Sequence, residues 1–244
     1  MKYINADNLF DYAFINEDTL KKPLKGICFE FHGFTDGSTF TESTQHAKWL
    51  GEKGIAWVFP YYSVWAWGSD NSAEFINQVV DAVFDRLNAS NNIPVVVLGG
   101  SMGGLTALNF VRVSDKNIVA CAGNCPVIDV VDGFAANPDW RRAIVSSHIE
   151  KNVDINEVLE NISPAYFADQ LPKIPYRFVY GVLDTYFHQV QMPIAQKVFA
   201  ENGLDLRVHE EQAMAHCNIS DFPELYRSFY QFLICEVYKN ETNN

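Results

Sequence analysis

Short apolar runs alternate with longer amphipathic stretches along most of the 244 residues, and this alternation constrains the fold more than any other feature. Several runs are apolar at every position, as parallel strands are when helices cover both faces of a sheet. The predicted strands are residues 26–31, 55–60, 95–99, 118–122, 176–180 and 206–210. The predicted helices are residues 41–53, 72–87, 104–113, 192–202 and 223–238. We therefore expect an α/β fold with a mostly parallel central sheet flanked by helices.

The segment 127–172 interrupts this alternation. It contains no run typical of a strand, and residues 139–151 and 155–161 have the pattern of short helices. A connection this long is usually functional. We predict that it forms a small helical cap over the carboxyl edge of the sheet, with an ordinary crossover carrying an extra helix as the alternative. No repeat or linker divides the chain, so residues 1–244 are expected to form a single domain that contains this cap.

The charge balance excludes two classes of partner. Lys and Arg total 18 against 30 Asp and Glu, which gives a formal net charge of −12. Nucleic acids and anionic membrane surfaces both require basic patches, so neither is expected as a partner. The hydrophobic content of 48% and the charged content of 20% are those of a globular domain. The oligomeric state is left open.

The cysteine pattern argues against disulfides and against zinc. Five cysteines cannot form a complete set of disulfides, and no second ligand pair follows Cys121 and Cys125, so no metal site is expected. The amino-terminal residues lack the pattern of a secretory signal, and no apolar run is long enough to span a bilayer. A cytoplasmic location with reduced thiols is the expectation.

The sequence Gly99-Gly100-Ser101-Met102-Gly103 lies between a predicted strand and a predicted helix. A G-x-S-x-G pattern in this context is typical of a tight turn that presents a nucleophilic serine at the edge of a sheet. Glycines are needed because side chains at the flanking positions would clash in so tight a turn. A Walker-type phosphate loop is excluded because no lysine follows the serine. Ser101 is therefore the predicted nucleophile.

A serine hydroxyl requires a general base, and the base requires an acid to orient it. In this arrangement the chain order is serine, then the acid, then histidine. His216 lies in a loop between the last predicted strand and the last predicted helix, which makes it the predicted base. His209 falls within a predicted strand, and His148 is read as a surface residue of the cap. His188 remains a candidate for lining the pocket.

Asp184 directly follows the strand that precedes the His216 region, which is the expected position of the acid. Asp129 and Asp132 follow the neighbouring predicted strand and are the alternatives. We prefer Asp184 because the other two lie where the cap begins, in a loop where a solvated carboxylate is common.

Acyl transfer also needs donors for a tetrahedral oxyanion. The sequence His32-Gly33-Phe34 follows an early strand, where such donors belong, and the backbone N–H groups of Phe34 and Met102 are the predicted pair. His32 is expected to brace this loop through side-chain hydrogen bonds. No metal or organic cofactor is expected, because the nucleophile would be activated by His216.

These features resemble the α/β-hydrolase superfamily over nearly the whole chain, which implies the α/β-hydrolase fold. The sequences Trp65-Ala66-Trp67, GGSMGG and AGNCPVID are similar to those of bacterial prolyl oligopeptidase-like catalytic domains. Two departures weaken the implication of peptidase activity. No β-propeller precedes the hydrolase region, and Ala215 stands before the predicted base where such families often have glycine.

Three alternative functions are compatible with these predicted residues. The first is hydrolysis of a small carboxylic ester by Ser101, His216 and Asp184, with Trp65 and Trp67 as candidate walls of the substrate pocket. The second is cleavage of a short peptide or amide by the same residues. The third is a catalytically silent binding protein, against which the complete set of serine, histidine and aspartate argues.

Overall fold

The computed structural model describes residues 3–149 and 154–241 and contains a seven-stranded sheet. The strands are β1 (Ala13–Ile15), β2 (Gly26–Phe31), β3 (Ile55–Pro60), β4 (Val95–Gly100), β5 (Ile118–Asn124), β6 (Tyr176–Gly181) and β7 (Leu206–Glu211). Their order in the sheet is β1-β3-β2-β4-β5-β6-β7. Strand β1 is antiparallel to β3, and the pairings among β2 to β7 are parallel. The predicted, mostly parallel sheet is confirmed.

Helices flank this sheet. In the described part of the chain they are α1 (Gln45–Glu52), α2 (Asp70–Leu87), α3 (Met102–Val113), α4 (Val130–Ala136), α5 (Pro138–Ser147), α6 (Ile155–Ile162), α7 (Pro164–Phe167), α8 (Met192–Glu201) and α9 (Pro223–Glu241). Strand β3 is buried along its whole length, as expected for a strand that helices cover on both faces. None of the described helices is long and apolar enough to cross a membrane.

The predicted element boundaries differ from the observed ones for local reasons. Strands β2 to β7 begin at the predicted residues, but β1 was not predicted because three residues carry no usable periodicity. Helix α1 begins at Gln45 rather than at residue 41. The Thr44 side chain accepts a hydrogen bond from the backbone N–H of Ala47, which satisfies an amide at the first turn and fixes the start of the helix.

The parallel register brings the carboxyl ends of four strands to one edge of the sheet. Phe31 of β2 pairs with Gly99 of β4, and Gly100 pairs with Asn124 of β5. Strand β6 continues the same edge beside β5. The loops that follow these strand ends contain Gly33, Ser101, Cys125 and Asp184. Residues that are far apart in the sequence therefore meet at this edge.

The cap segment, residues 127–172, is helical and has no strand in its described part, as predicted. The helix predicted over 139–151 is α5, which ends at Ser147, and residues 150–151 lie outside the described residues. Trp140 of α5 anchors the segment. Its ring lies 4.7 Å from that of Trp67 and 6.0 Å from that of Phe187, measured between centroids.

Replacing Trp140 by alanine should destabilise the protein by about 3–5 kcal/mol, because the buried ring would leave a cavity between α5 and the sheet edge. The free energy of unfolding in urea measures this loss. Val145→Ala on the same helix is the matched control, since that side chain is 44% exposed and its truncation should cost less than about 0.5 kcal/mol. Equal losses for the two variants would show that Trp140 does not anchor the cap segment.

Candidate active site

Ser101 occupies a strained turn between β4 and α3. Its φ of 53° and ψ of −120° lie in a region that residues with side chains rarely adopt. Gly99 and Gly103, two residues before and two residues after Ser101, must be glycine because other parts of the backbone pass very close to them. A Cβ on Gly99 would lie 2.2 Å from the Gly103 carbonyl oxygen, and one on Gly103 would lie 2.0 Å from that of Phe31. The turn therefore holds Ser101 at the carboxyl edge of the sheet.

Gly103→Ala should destabilise the fold by about 3 kcal/mol or more, because the added methyl group can be accommodated only if backbone moves. Thermal unfolding followed by circular dichroism measures the effect. Gly37→Ala is the control, since a Cβ at that position meets no atom within 4 Å. An unchanged unfolding temperature for Gly103→Ala would contradict the packing described for this turn.

Asp184 and His216 are joined by a hydrogen bond. Asp184 lies in the loop after β6, and its Oδ2 atom is 2.5 Å from Nδ1 of His216, in the loop after β7. The other carboxylate oxygen accepts a hydrogen bond from the backbone N–H of Phe187, which fixes the carboxylate in place. The ring of Phe187 also packs on the imidazole, with centroids 4.2 Å apart. The predicted acid and base are thus brought together.

The alternative acids have other partners. The Asp129 side chain caps α4 by accepting a hydrogen bond from the backbone N–H of Asp132. Asp132 in turn accepts a hydrogen bond of 2.9 Å from the Tyr186 hydroxyl. Both carboxylates therefore contribute to the structure of the cap segment, whereas Asp184 is the one that holds His216.

The other candidate histidines lie in different surroundings. His209 is on β7, as predicted, and His188 is 2.7 Å from a carboxylate oxygen of Glu210. The interpretation of His148 as a surface residue is wrong. It is buried at the end of α5, and its Nε2 atom lies 3.0 Å from the Trp67 carbonyl oxygen.

The free ring nitrogen of His216 faces sulfur. Its Nε2 atom lies 3.6 Å from Sγ of Cys217, and among the described residues no hydrogen bond joins it to Oγ of Ser101. Ser101 and His216 nevertheless line the same cavity. Catalytic hydrogen bonds are often long in a free enzyme and shorten when substrate binds.

The pKa values of Cys125 and His216 are both shifted strongly. A hydrogen bond from Cys217 lowers the pKa of Cys125 to about 5 and outweighs burial, which acts in the opposite direction; His216 adds a further hydrogen bond. Burial acts to lower the pKa of His216, but hydrogen bonds and charge interactions with Asp184 and Cys125 raise it to about 9. The site therefore favours negative charge on Cys125 beside a protonated ring.

The predicted oxyanion donors lie next to the serine. A Cβ on Gly33 would be 3.9 Å from Cβ of Ser101, which places the loop containing Phe34 against Ser101. In the described structure, the backbone N–H groups of Phe34 and Met102 have no hydrogen-bond acceptor. Two unengaged amides are thus available for an oxyanion at this position.

His32 braces this loop, as the sequence predicted. Its Nδ1 and Nε2 atoms each lie 3.0 Å from a backbone carbonyl oxygen, of Gly33 and Tyr62 respectively. Its ring stacks on that of Tyr62 with 3.8 Å between centroids, and the Tyr62 hydroxyl donates a hydrogen bond of 2.7 Å to the His32 carbonyl. The loop is held from both sides.

A cavity of about 380 Å³ opens over Ser101. Its remaining described walls come from the loop after β2, from α1, and from α9 with the loop before it; they include Phe34, Asp36, His46, Ile219, Ser220, Tyr226, Phe229 and Tyr230. No described residue of the cap segment belongs to this lining. The described lining of this cavity therefore comes from elements outside the cap segment.

The predicted pocket walls Trp65 and Trp67 are not among the described lining residues. Trp67 is fully buried and packs behind Phe34, with 5.4 Å between ring centroids, while Trp65 is 39% exposed. Trp67 supports the loop of the oxyanion donors, and its side chain does not form a wall of this cavity.

One polar group of the cavity was not found from the sequence. Glu30 on β2 lies 3.3 Å from Nε2 of His46 and accepts hydrogen bonds from the indole N–H of Trp57 and the hydroxyl of Tyr230. These partners lower the pKa of Glu30 although burial acts in the opposite direction. The position of Glu30 within an otherwise apolar strand was the sequence signal that could have identified it.

Comparisons with known proteins agree with this geometry at the level of the fold. No protein-family model matches the sequence, and no curated protein matches it. Esterase B from Lactobacillus rhamnosis superposes with a TM-score of 0.69 at 16% identity, over 92% of this chain and 79% of its own. The fluorophosphonate-binding serine hydrolase FphF from Staphylococcus aureus gives a TM-score of 0.68 at 16% identity, over 90% and 87%.

A third similar structure is the Pyrococcus horikoshii acylaminoacyl peptidase, with a TM-score of 0.72 and 15% identity. The matched region covers 88% of this chain but only 37% of the peptidase. The sheet order and these superpositions define the class of protein: the chain has the α/β-hydrolase fold. Because one fold supports many activities, the function has to be argued from the site.

Proposed function

We propose that the protein is a serine hydrolase that cleaves a small carboxylic ester through an acyl-enzyme intermediate. The observation that carries the proposal is the hydrogen-bonded pair of Asp184 and His216 beside Ser101 on its strained turn. This set contains the nucleophile, the base and the orienting acid that acyl transfer requires.

The reaction would proceed in two halves. Because the pKa of His216 is raised to about 9, the neutral form that acts as the base is the minor form near neutral pH and increases as the pH rises. That neutral ring accepts the hydroxyl proton as Ser101 Oγ attacks the ester carbonyl, and the protonated ring then gives that proton to the departing alcohol. Water repeats the sequence on the acyl group, with His216 again as the base. Throughout, Asp184 holds the Nδ1–H tautomer and stabilises the imidazolium. We also propose that the distance between Nε2 of His216 and Oγ of Ser101 shortens when substrate binds.

The oxyanion would be stabilised by the Phe34 and Met102 amides. Both are free of acceptors in the described structure, and the Met102 amide is at the start of α3, where the helix dipole favours negative charge. The bracing of the loop by His32 holds the Phe34 amide in position before substrate arrives, which is the condition for strong electrostatic stabilisation.

The cavity favours an ester over a peptide with a free amino terminus. A peptidase of that kind needs an unpaired acidic group for the substrate amine. Here Glu30 is already bound by His46, Trp57 and Tyr230, and Asp36 accepts hydrogen bonds from both the backbone and the hydroxyl of Ser38. Neither carboxylate is available without breaking these contacts.

A panel of p-nitrophenyl esters of increasing acyl length, run beside aminoacyl p-nitroanilides, tests the choice of substrate class. We expect hydrolysis of short-chain esters and little release of p-nitroaniline. Faster cleavage of the anilides than of every ester would reject the ester assignment and favour the peptidase alternative.

Ester hydrolysis should not fall when the protein is dialysed against EDTA, because Ser101 is activated by His216 and Asp184 rather than by a metal-bound water. Initial rates before and after dialysis are the measurement, with total metal determined on the same samples. A loss of activity that is restored by adding back a divalent ion would contradict the mechanism.

A further inference from the structure

Three potential metal ligands meet beside Ser101. Cys125 follows β5 and Cys217 follows His216, and both cysteines have positive φ values, 47° and 56°. The two Sγ atoms and a ring nitrogen of His216 all lie within 4.8 Å of one another. This group, which we call the thiol–imidazole cluster, unites two thiols from separate loops with the proposed base.

The spacing suits a tetrahedral zinc ion. Zinc lies about 2.3 Å from cysteine sulfur and about 2.0–2.1 Å from histidine nitrogen, so two such ligands at the tetrahedral angle are about 3.5 Å apart. The observed separation between Nε2 of His216 and Sγ of Cys217 is 3.6 Å. All three ligand atoms lie within 4.8 Å of one another, which is close to the separations that one tetrahedral ion requires.

The surroundings of His216 are also those of a metal ligand. Its Nδ1 atom is bound to the Asp184 carboxylate, which leaves Nε2 directed at the sulfurs. A carboxylate on the remote ring nitrogen fixes the tautomer and increases the basicity of a zinc-binding histidine. The carboxylate that orients the base for proton transfer therefore orients it equally well for a cation.

The cluster has an open side. The His216 side chain is 42% exposed and Cys217 is partly exposed, whereas Cys125 is fully buried beneath them. The exposure of His216 and Cys217 gives a cation access to this side of the cluster from solvent. Thiolate ligands select zinc over magnesium or calcium, which prefer oxygen.

We infer that Cys125, His216 and Cys217 form a binding site for a thiophilic cation, Zn²⁺, and that its occupation switches off the hydrolase. Binding releases to solvent the protons still held by the ligand sulfurs and by Nε2, and the zinc ion then occupies the lone pair that the base uses to accept the serine proton. The inhibitory effect rests on the proposed function; the binding site itself does not.

Cobalt titration of the full chain, kept reduced with a phosphine, tests the binding site. Thiolate ligation of Co²⁺ gives a near-ultraviolet charge-transfer band, and we expect it to saturate at one ion per chain and to be displaced by Zn²⁺. Cys217→Ser and Cys125→Ser should each weaken cobalt binding by more than about 100-fold, beyond the 10–100-fold typical of losing an outer-sphere partner. Cys235→Ser is the matched control, because that exposed thiol lies outside the cluster.

Ser101→Ala separates failure of the site from failure of the proposed function. This variant should bind cobalt with unchanged affinity although it cannot be acylated. In the wild type, one equivalent of Zn²⁺ should suppress fluorophosphonate labelling at least tenfold, and EDTA should restore it. Absence of the charge-transfer band in the wild type, or an unchanged cobalt affinity in both cluster variants, would overturn the metal site. Zinc binding without loss of labelling would overturn the inhibition.

Discussion

Ser101→Ala should abolish reaction with a fluorophosphonate probe and lower the rate of ester hydrolysis by about a millionfold, the loss typical of removing a serine nucleophile. The hydroxyl is the only group of the proposed triad that bonds to the acyl carbon, so neither His216 nor Asp184 can compensate. Gel fluorescence measures labelling, and initial rates with a short-chain ester measure turnover.

Ser220→Ala provides the control for this substitution. Ser220 is exposed and lines the same cavity, but in the described structure no hydrogen bond joins its side chain to Asp184 or His216. The Ser220→Ala variant should be labelled by the fluorophosphonate probe as fast as the wild type. Labelling that persists undiminished in Ser101→Ala would remove Ser101 from the role of nucleophile.

Asp184→Asn should lower kcat by about 10⁴-fold while leaving the fold intact, because an amide that donates to Nδ1 stabilises the wrong tautomer of the imidazole. The 2.5 Å contact between Oδ2 and Nδ1 of His216 is the interaction that would be altered. Steady-state kinetics measure the loss, and near-ultraviolet circular dichroism verifies the packing.

Asp129→Asn is the comparison for Asp184. Its carboxylate caps α4 and has no contact with His216 in the described structure, so the substitution should cost far less activity. The reverse ranking of the two variants would move the orienting acid to the loop after β5.

Much of the fold could be predicted because parallel strands that are buried on both faces consist of continuous apolar runs. Strands β3, β4 and β5 were found in this way, since burial on both faces leaves few polar positions to confuse the period. This reason does not apply to strand β7, which has no fully buried residue and contains Arg207, His209 and Glu210. Strand β1 was not found because its three residues gain their order from pairing with β3, which no local pattern records. Helix starts depended on caps such as Thr44, whose role is decided by geometry.

The site residues differ in how far the sequence determines them. Ser101 can be recognised in the sequence by the glycines that its tight turn requires. Asp184 and His216 can be recognised because they lie in loops that follow predicted strands. Trp67 could not be placed, because an aromatic ring after a strand fits a pocket wall or a core equally well. His148 could not be placed because its burial depends on contact with Trp67, which is 81 residues away in the sequence. The meeting of Cys125 with Cys217 depends on which strand ends are neighbours, and that is known only once the sheet is assembled.

The most direct test of the central claim is rapid quenching of the wild-type protein with p-nitrophenyl acetate, followed by peptide mapping by mass spectrometry. We expect a stoichiometric burst of p-nitrophenol and an acetyl group on the Ser101 side chain, which accumulates in the first turnover and then decays. An acetyl group on Cys217 or Cys125, or steady ester hydrolysis without any acyl adduct on Ser101, would contradict the central claim.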